Sequence, residues 1–114
     1  MTLNEKQVEF SRTLARFLCW CFDNDYLVIV AEVYRTPYQA RRYAEIGKGI
    51  VNSVHTKKLA ADLFRYKNGV VTWDSEDYVA MGDKWKSMHP LARWGGDFQR
   101  RDAVHFSFIH NGVC

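Results

Sequence analysis

The sequence is poor in the features that would place it in several large classes. It holds three cysteines, Cys19, Cys21 and Cys114. An odd count argues against a closed disulfide framework. Cys19 and Cys21 fall within a helical pattern, where residues two apart point about 200° apart around the axis. They make a poor two-ligand metal clip and read as reduced thiols, at least one of them in the core. No apolar run approaches the ~20 residues a bilayer span needs; the longest, Leu27 to Ala31, has the length of a strand. The first ten residues, MTLNEKQVEF, contain no basic patch followed by an apolar stretch. A secretory signal is therefore not expected, and synthesis in the cytoplasm is. Excess charge is also missing: 16 basic against 13 acidic residues leave +3. That suits an anionic polymer but falls short of a nucleic-acid-binding surplus, so no nucleic-acid partner is expected. Repeats, linkers and low-complexity tracts are absent.

What remains reads as one domain over residues 1–114. Hydrophobic residues make up 47% and charged residues 25%, close to globular averages, so a packed core is expected. Thr2 and Glu5 form a capping box. Phe10, Leu14, Phe17, Leu18 and Cys21 then follow at helical spacing, ending near Asp23-Asn24. YLVIVAEVY, residues 26–34, reads as a buried strand. Thr36-Pro37 opens a second helix that Gly47 and Gly49 stop. LAADLFRY, 59–66, reads as a strand with Ala60, Asp62, Phe64 and Tyr66 on one face. Asn68-Gly69 predicts a hairpin into Val70-Val71-Thr72. Asp74 or Ser75 caps a third helix whose core stripe is Tyr78, Met81, Trp85 and Met88. RWGGDFQRRD reads as loop, and Val104 to Ile109 as the last strand. The order αβαββαβ suggests an α+β fold on a largely antiparallel sheet.

The residue that matters most is Asp62. A carboxylate on a face shared with Ala60, Phe64 and Tyr66 must be paired, hydrogen-bonded or metal-bound, since bare burial costs several kcal/mol. His55 lies seven residues before it, and Asp102 lies three before His105. Two histidines and one aspartate are ligands that zinc accepts, and three protein ligands leave a fourth position for water. The other carboxylate could then act as general base. By spacing alone the arrangement could arise by chance. His55 would then be a loop residue, Asp62 would pair with Arg65 or another arginine, and His105 would be a satisfied core histidine.

Three segments narrow the choice. Ser53-Val54-His55-Thr56-Lys57-Lys58-Leu59-Ala60-Ala61-Asp62 resembles the Ser-x-His-x-x-x-x-Ala-x-Asp motif of D-Ala-D-Ala-type zinc peptidases, the family with the hedgehog/D,D-peptidase fold. Trp94-Gly95-Gly96-Asp97-Phe98 followed by Asp102-Ala103-Val104-His105-Phe106 resembles its Trp-Gly-Gly and Asp/Glu-x-x-His-Phe end. Tyr34-Arg35-Thr36 with Gln39 is similar to its Tyr-Arg-Ser/Thr-x-x-x-Gln segment. The three occur in family order over residues 34–106. Aspartate at 102 is similar to the phage L-alanyl-D-glutamate endopeptidase branch; Lys58 departs from the glycine many members carry.

The resemblance implies Zn²⁺ held by His55, Asp62 and His105, with Asp102 as general acid/base. Arg35 would stabilise the oxyanion or hold a substrate carboxylate. Ser53 and Gln39 would contact substrate, although Ser53 could instead cap a turn and Gln39 could lie on a helix surface. Trp73, Trp85 and Trp94 could rim the groove, or pack in the core. Lys57, Lys58, Arg100 and Arg101 read as charged loop residues. The implied activity is hydrolysis of the peptidoglycan stem peptide by an endolysin, a monomer without a separate cell-wall-binding domain, released by a holin or equivalent. D,D-carboxypeptidase activity and a non-catalytic zinc-containing binding module are the alternatives.

Overall fold

A computed structural model describes residues 1–114. Helix α1 (Leu3–Asp23) starts at the expected capping box: the Thr2 side chain accepts from the Glu5 amide, and the Glu5 carboxylate accepts from the Thr2 amide. Strand β1 (Leu27–Val30) and helix α2 (Pro37–Glu45) follow, the latter capped by Thr36 with proline in its first turn. A 3-10 turn, Val54–Lys57, leads into strand β2 (Ala60–Lys67). The β2–β3 hairpin (β3, Val70–Thr72) turns at Asn68 and Gly69, with φ of 54° and 81°. Positive φ at both central residues is what a two-residue hairpin with right-handed strand twist requires.

A second 3-10 turn, Ser75–Tyr78, precedes helix α3 (Val79–Met88). The helix thus begins four residues later than the Asp74/Ser75 cap suggests; Asp74 makes no side-chain capping bond. The Asp77 carboxylate is held by Thr72 and Lys67, and the Tyr78 hydroxyl donates to the Thr72 carbonyl. These bonds tie the helix entry to the hairpin and compete with an earlier helical start. Strand β4 (Ala92–Trp94) takes in the first two residues of the segment read as loop, and a 3-10 turn, Gly95–Asp97, follows it. Strand β5 (His105–Phe108) closes the fold.

All pairings are antiparallel, in the order β1-β2-β5-β4, with β3 also on β2. The architecture is therefore α+β, as expected. Strand β2 is long enough to serve two partners on one side. Its first residues pair with β5, aligning Asp62 with His105, and its last pair with β3.

The core gathers where α1 and α3 meet the sheet. Phe10, Phe17, Trp85, Phe106 and Phe108 pack ring against ring at centroid distances of 5.3–6.3 Å. Truncating a buried aromatic such as Trp85 costs ~3–5 kcal/mol. Its indole N–H is satisfied by the Arg93 and Ser107 carbonyls. Alternation along β5 does the sorting: Phe106 and Phe108 enter the core, and His105 and Ser107 face away from it.

Two expectations are corrected here. Residues 26–34 are not a buried strand: only Leu27–Val30 are extended in the sheet, and Leu27, Ile29 and Val30 are exposed. β-branched composition signals strand but not burial. This strand lies at the sheet edge, with its outer face uncovered. Trp85 and Trp94 do not rim a groove, because both are buried in the core. Gly82 and Gly96 allow the fit of Trp94, since a Cβ at either would come within 2.2 Å of its ring. Trp73 is exposed, its ring set edge-on to Phe64. Cys21 is the core thiol, Cys19 is exposed, and no disulfide forms.

Candidate metal centre

The face of the sheet opposite the core carries a cleft of about 560 Å³, lined among others by Arg35, Ser53, His55, Asp62, Asp102 and His105. Six of the seven residues singled out in the sequence thus meet in one place. Gln39 does not line it; its backbone amide donates to Thr36 in the first turn of α2.

Each residue is placed by a simple device. Asp62 projects from β2, and His105 from the paired position on β5. His55 sits on the 3-10 turn that Ser53 caps, its amide donating to Ser53 Oγ at 3.3 Å. Lys58 ends that turn at φ 57°, in the left-handed region. Glycine enters that region without steric cost, whereas Lys58 carries its side chain into it. Asp102 lies in the loop before β5, and the His105 amide bonds its carbonyl at 3.1 Å. That loop lets residues 102 and 105 face the same cleft, which a regular strand would forbid.

Asp62 Oδ1 is 3.2 Å from His55 Nε2 and 3.6 Å from His105 Nδ1. One donor atom from each of the three residues falls within 4.8 Å of the others, close enough for a shared ion. Asp62 Oδ1 is buried and has no hydrogen-bond partner, and neither does His55 Nδ1. A buried carboxylate oxygen left unpaired between two imidazole nitrogens is costly in protein terms alone. It is what a cation would satisfy.

The surroundings set the imidazoles for that role. The backbone oxygen of Cys114 lies 2.5 Å from His105 Nε2 and accepts a second bond from Ser107 Oγ at 2.6 Å. An oxygen that can only accept requires the proton on Nε2. The Nδ1 lone pair of neutral His105 is then directed at Asp62, the usual way an outer hydrogen bond orients a ligating histidine. A residue the sequence did not flag, Glu32, faces the other imidazole: its Oε1 lies 3.7 Å from His55 Nδ1. The same carboxylate accepts from Arg35 Nε at 2.8 Å and pairs with Nη2. The only hint in the sequence was an acid three residues before Arg35.

Titration follows the geometry. Burial raises the Asp62 pKa, but the adjoining His105 and His55 imidazoles outweigh it and hold the carboxyl at about 2. Burial lowers that of His105; the nearby Asp62 carboxylate and the hydrogen bond to the Cys114 backbone override it, so the net shift is upward. Asp102 is exposed to solvent, yet desolvation of its carboxyl in the cleft raises its pKa. The His105 charge opposes this and the Asp62 charge adds to it. A carboxyl shifted towards neutrality is suited to exchanging protons.

A solved structure, the L-Ala D-Glu endopeptidase ChiX of Serratia marcescens, has this fold. The two superpose with a TM-score of 0.72 at 22% identity, over 89% of this chain and 78% of the other. At that identity the likeness establishes the architecture. No protein-family model matches the sequence, and no curated protein does.

Proposed function

We propose that the protein is a metal-dependent peptidoglycan hydrolase that cuts the stem peptide between L-Ala and D-Glu. The observation that carries this reading is the unpaired, buried Asp62 Oδ1 held between His55 Nε2 and His105 Nδ1. The fold shared with an L-Ala D-Glu endopeptidase supports the choice of substrate. His55, Asp62 and His105 would hold zinc, which when bound acidifies its water to a pKa near 7 and polarises a carbonyl.

The chain's own residues supply the rest. Asp102, in the same cleft and shifted towards neutrality, takes the proton of the attacking water and passes it to the leaving amine. Arg35 presents Nη1, bonded loosely to Ser53 Oγ at 3.4 Å, to the oxygen on which charge develops. Removing such a donor costs ~3–4 kcal/mol of barrier lowering in comparable sites. Ser53, buried at the cleft wall, both caps the His55 turn and offers its hydroxyl to substrate or to Arg35. The cationic residues Lys48, Arg100 and Arg101 on the cleft walls suit an anionic stem peptide. As part of the same reading, the protein acts as an endolysin that a holin or equivalent passes to the wall.

The deciding experiment is digestion of purified muropeptides with and without a chelator, with products read by mass spectrometry. New N-terminal D-Glu, abolished by chelation and restored by zinc, supports the proposal. Loss of a terminal D-Ala would assign a carboxypeptidase instead. No release by zinc-loaded protein would leave a non-catalytic binding module.

A further inference from the structure

We infer that Glu32 is a positioning residue that couples the metal centre to the oxyanion-binding arginine. It fixes the tautomer of His55 with the same carboxylate that holds the fork of Arg35. The inference rests on the proposed metal-dependent function and adds a residue to it.

The geometry begins with the backbone. Beyond the end of β1 the chain stays beside β2: the Ala31 amide donates to the Asp62 carbonyl, and the Asp62 amide to the Glu32 carbonyl, both at 2.8 Å. Three residues on, the Arg35 amide donates to the His55 carbonyl at 3.2 Å. Residues 31–35 are thus stitched to both metal-ligating segments before any side chain is considered. Arg35 leaves this segment towards the cleft, and Glu32 towards the His55 ring.

His55 is sandwiched between two carboxylates. Nε2 faces Asp62 and Nδ1 faces Glu32. Its ring is fully buried, and Nδ1 finds no other partner. For Nε2 to give its lone pair to a cation, the ring proton must reside on Nδ1. There Glu32 Oε1, at 3.7 Å, needs only a small approach to accept it. Carboxylate–histidine–metal arrangements of this kind fix ring orientation and raise ligand basicity.

Glu32 also decides which part of Arg35 is free. Its carboxylate takes Nε and Nη2, and Tyr43 lies under the guanidinium 4.7 Å from the ring centroid. Only Nη1 is left for substrate, with the long 3.4 Å contact to Ser53 Oγ as its resting partner. An oxygen developing charge displaces a hydroxyl from such a contact. Losing Glu32 would free the whole fork and unlock the imidazole in one step.

The test uses Glu32→Ala and Glu32→Gln in the full chain. The backbone bonds that place residue 32 do not depend on its side chain, and circular dichroism with thermal melting verifies the fold. Zinc affinity is measured by chelator competition, the His55 tautomer by ring ¹⁵N shifts of zinc-loaded protein, and turnover on muropeptides. Glu32→Ala should weaken zinc binding about 10–100-fold, the range for lost outer partners of ligating histidines. It should also disturb the His55 nitrogen pattern and lower kcat more than it changes KM. Glu32→Gln keeps a neutral acceptor for Nδ1–H but no charge for Arg35, so it should retain most zinc affinity while kcat falls. Zinc affinity within twofold of wild type and an unchanged ¹⁵N pattern in folded Glu32→Ala would overturn the inference. The affinity and ¹⁵N readouts need no hydrolysis, so they decide on Glu32 even if the wild-type protein cuts no muropeptide.

Discussion

Gly95 and Asp102 are joined backbone to backbone. The Asp102 amide donates to the Gly95 carbonyl at 2.9 Å, and a Cβ on Gly95 would lie 2.0 Å from the Asp102 carbonyl oxygen and 2.9 Å from the Cβ of His105. No side chain fits between the turn that follows β4 and the loop that presents the proposed base. Gly95→Ala should push the Asp102 loop away. Overpacking of this kind costs ~1–3 kcal/mol. A lowered Tm by calorimetry is expected, with turnover falling further than stability does; an unchanged Tm would contradict the close approach.

Asp102 and the metal ligands should separate cleanly by mutation. Asp102→Ala removes the proton carrier and no ligand, so zinc content is expected to stay near one per chain while kcat falls about 10²–10⁴-fold. His55→Ala should lose both metal and turnover. Zinc content by mass spectrometry of purified variants, beside muropeptide digestion, checks the pair. Near-normal turnover in Asp102→Ala would remove Asp102 from the mechanism.

The site should make the metal-free protein respond to pH in a defined sense. The His105 pKa is raised above 6.5, so its contribution to stability is complete below 6.5 and is lost as pH rises through the folded value. The Asp62 pKa is lowered from 3.8 to about 2, so its contribution is complete above 3.8 and is lost as pH falls through about 2. The two shifts describe the same carboxylate–imidazolium contact, whose stabilisation should be greatest between about pH 4 and 6.5. Zinc must displace the His105 proton, so its affinity should climb with pH across the raised His105 value and then level. Melting curves of chelated protein and competition titrations across pH measure the two trends, and a zinc affinity that falls over that interval would contradict the assignment.

Cysteine chemistry gives a test independent of the metal. Cys21 is fully buried and its thiol is pushed up to about 12 by desolvation, whereas Cys19, two residues away on the same helix, is exposed. At pH 8 an alkylating reagent should modify Cys19 within minutes and leave Cys21 protected until the protein is unfolded. Peptide mapping reads both sites in one digest; equal labelling of the native protein would displace α1 from the core.

The sequence was most legible where a local rule and the tertiary fold agreed. The capping box of Thr2 and Glu5, the Asn68-Gly69 turn and the helical stripe of Tyr78, Met81 and Trp85 are local signals, and the structure obeys them. His55, Asp62, Asp102 and His105 were singled out by residue type and spacing, and the structure gathers them around one cleft from two strands, a turn and a loop. What escaped depends on partners far along the chain. Nothing in Ala92-Arg93-Trp94 marks a strand until Phe106 and Phe108 lie beside it. The edge position of Leu27–Val30 is set by pairing rather than composition. Glu32 acquires its role only when the chain beyond β1 is stitched to Asp62. Gln39 shows the converse: it stands one residue short of the motif's spacing after Arg35, and the helix started by Thr36 does not bring it to the cleft.

The sheet has one side packed against the helices and one side that carries the cleft. Phe106 and Phe108 give cohesion while their neighbours His105 and Ser107 face away from the core, residue by residue along a single strand. Such a division lets a lineage rewrite its interior or its specificity separately.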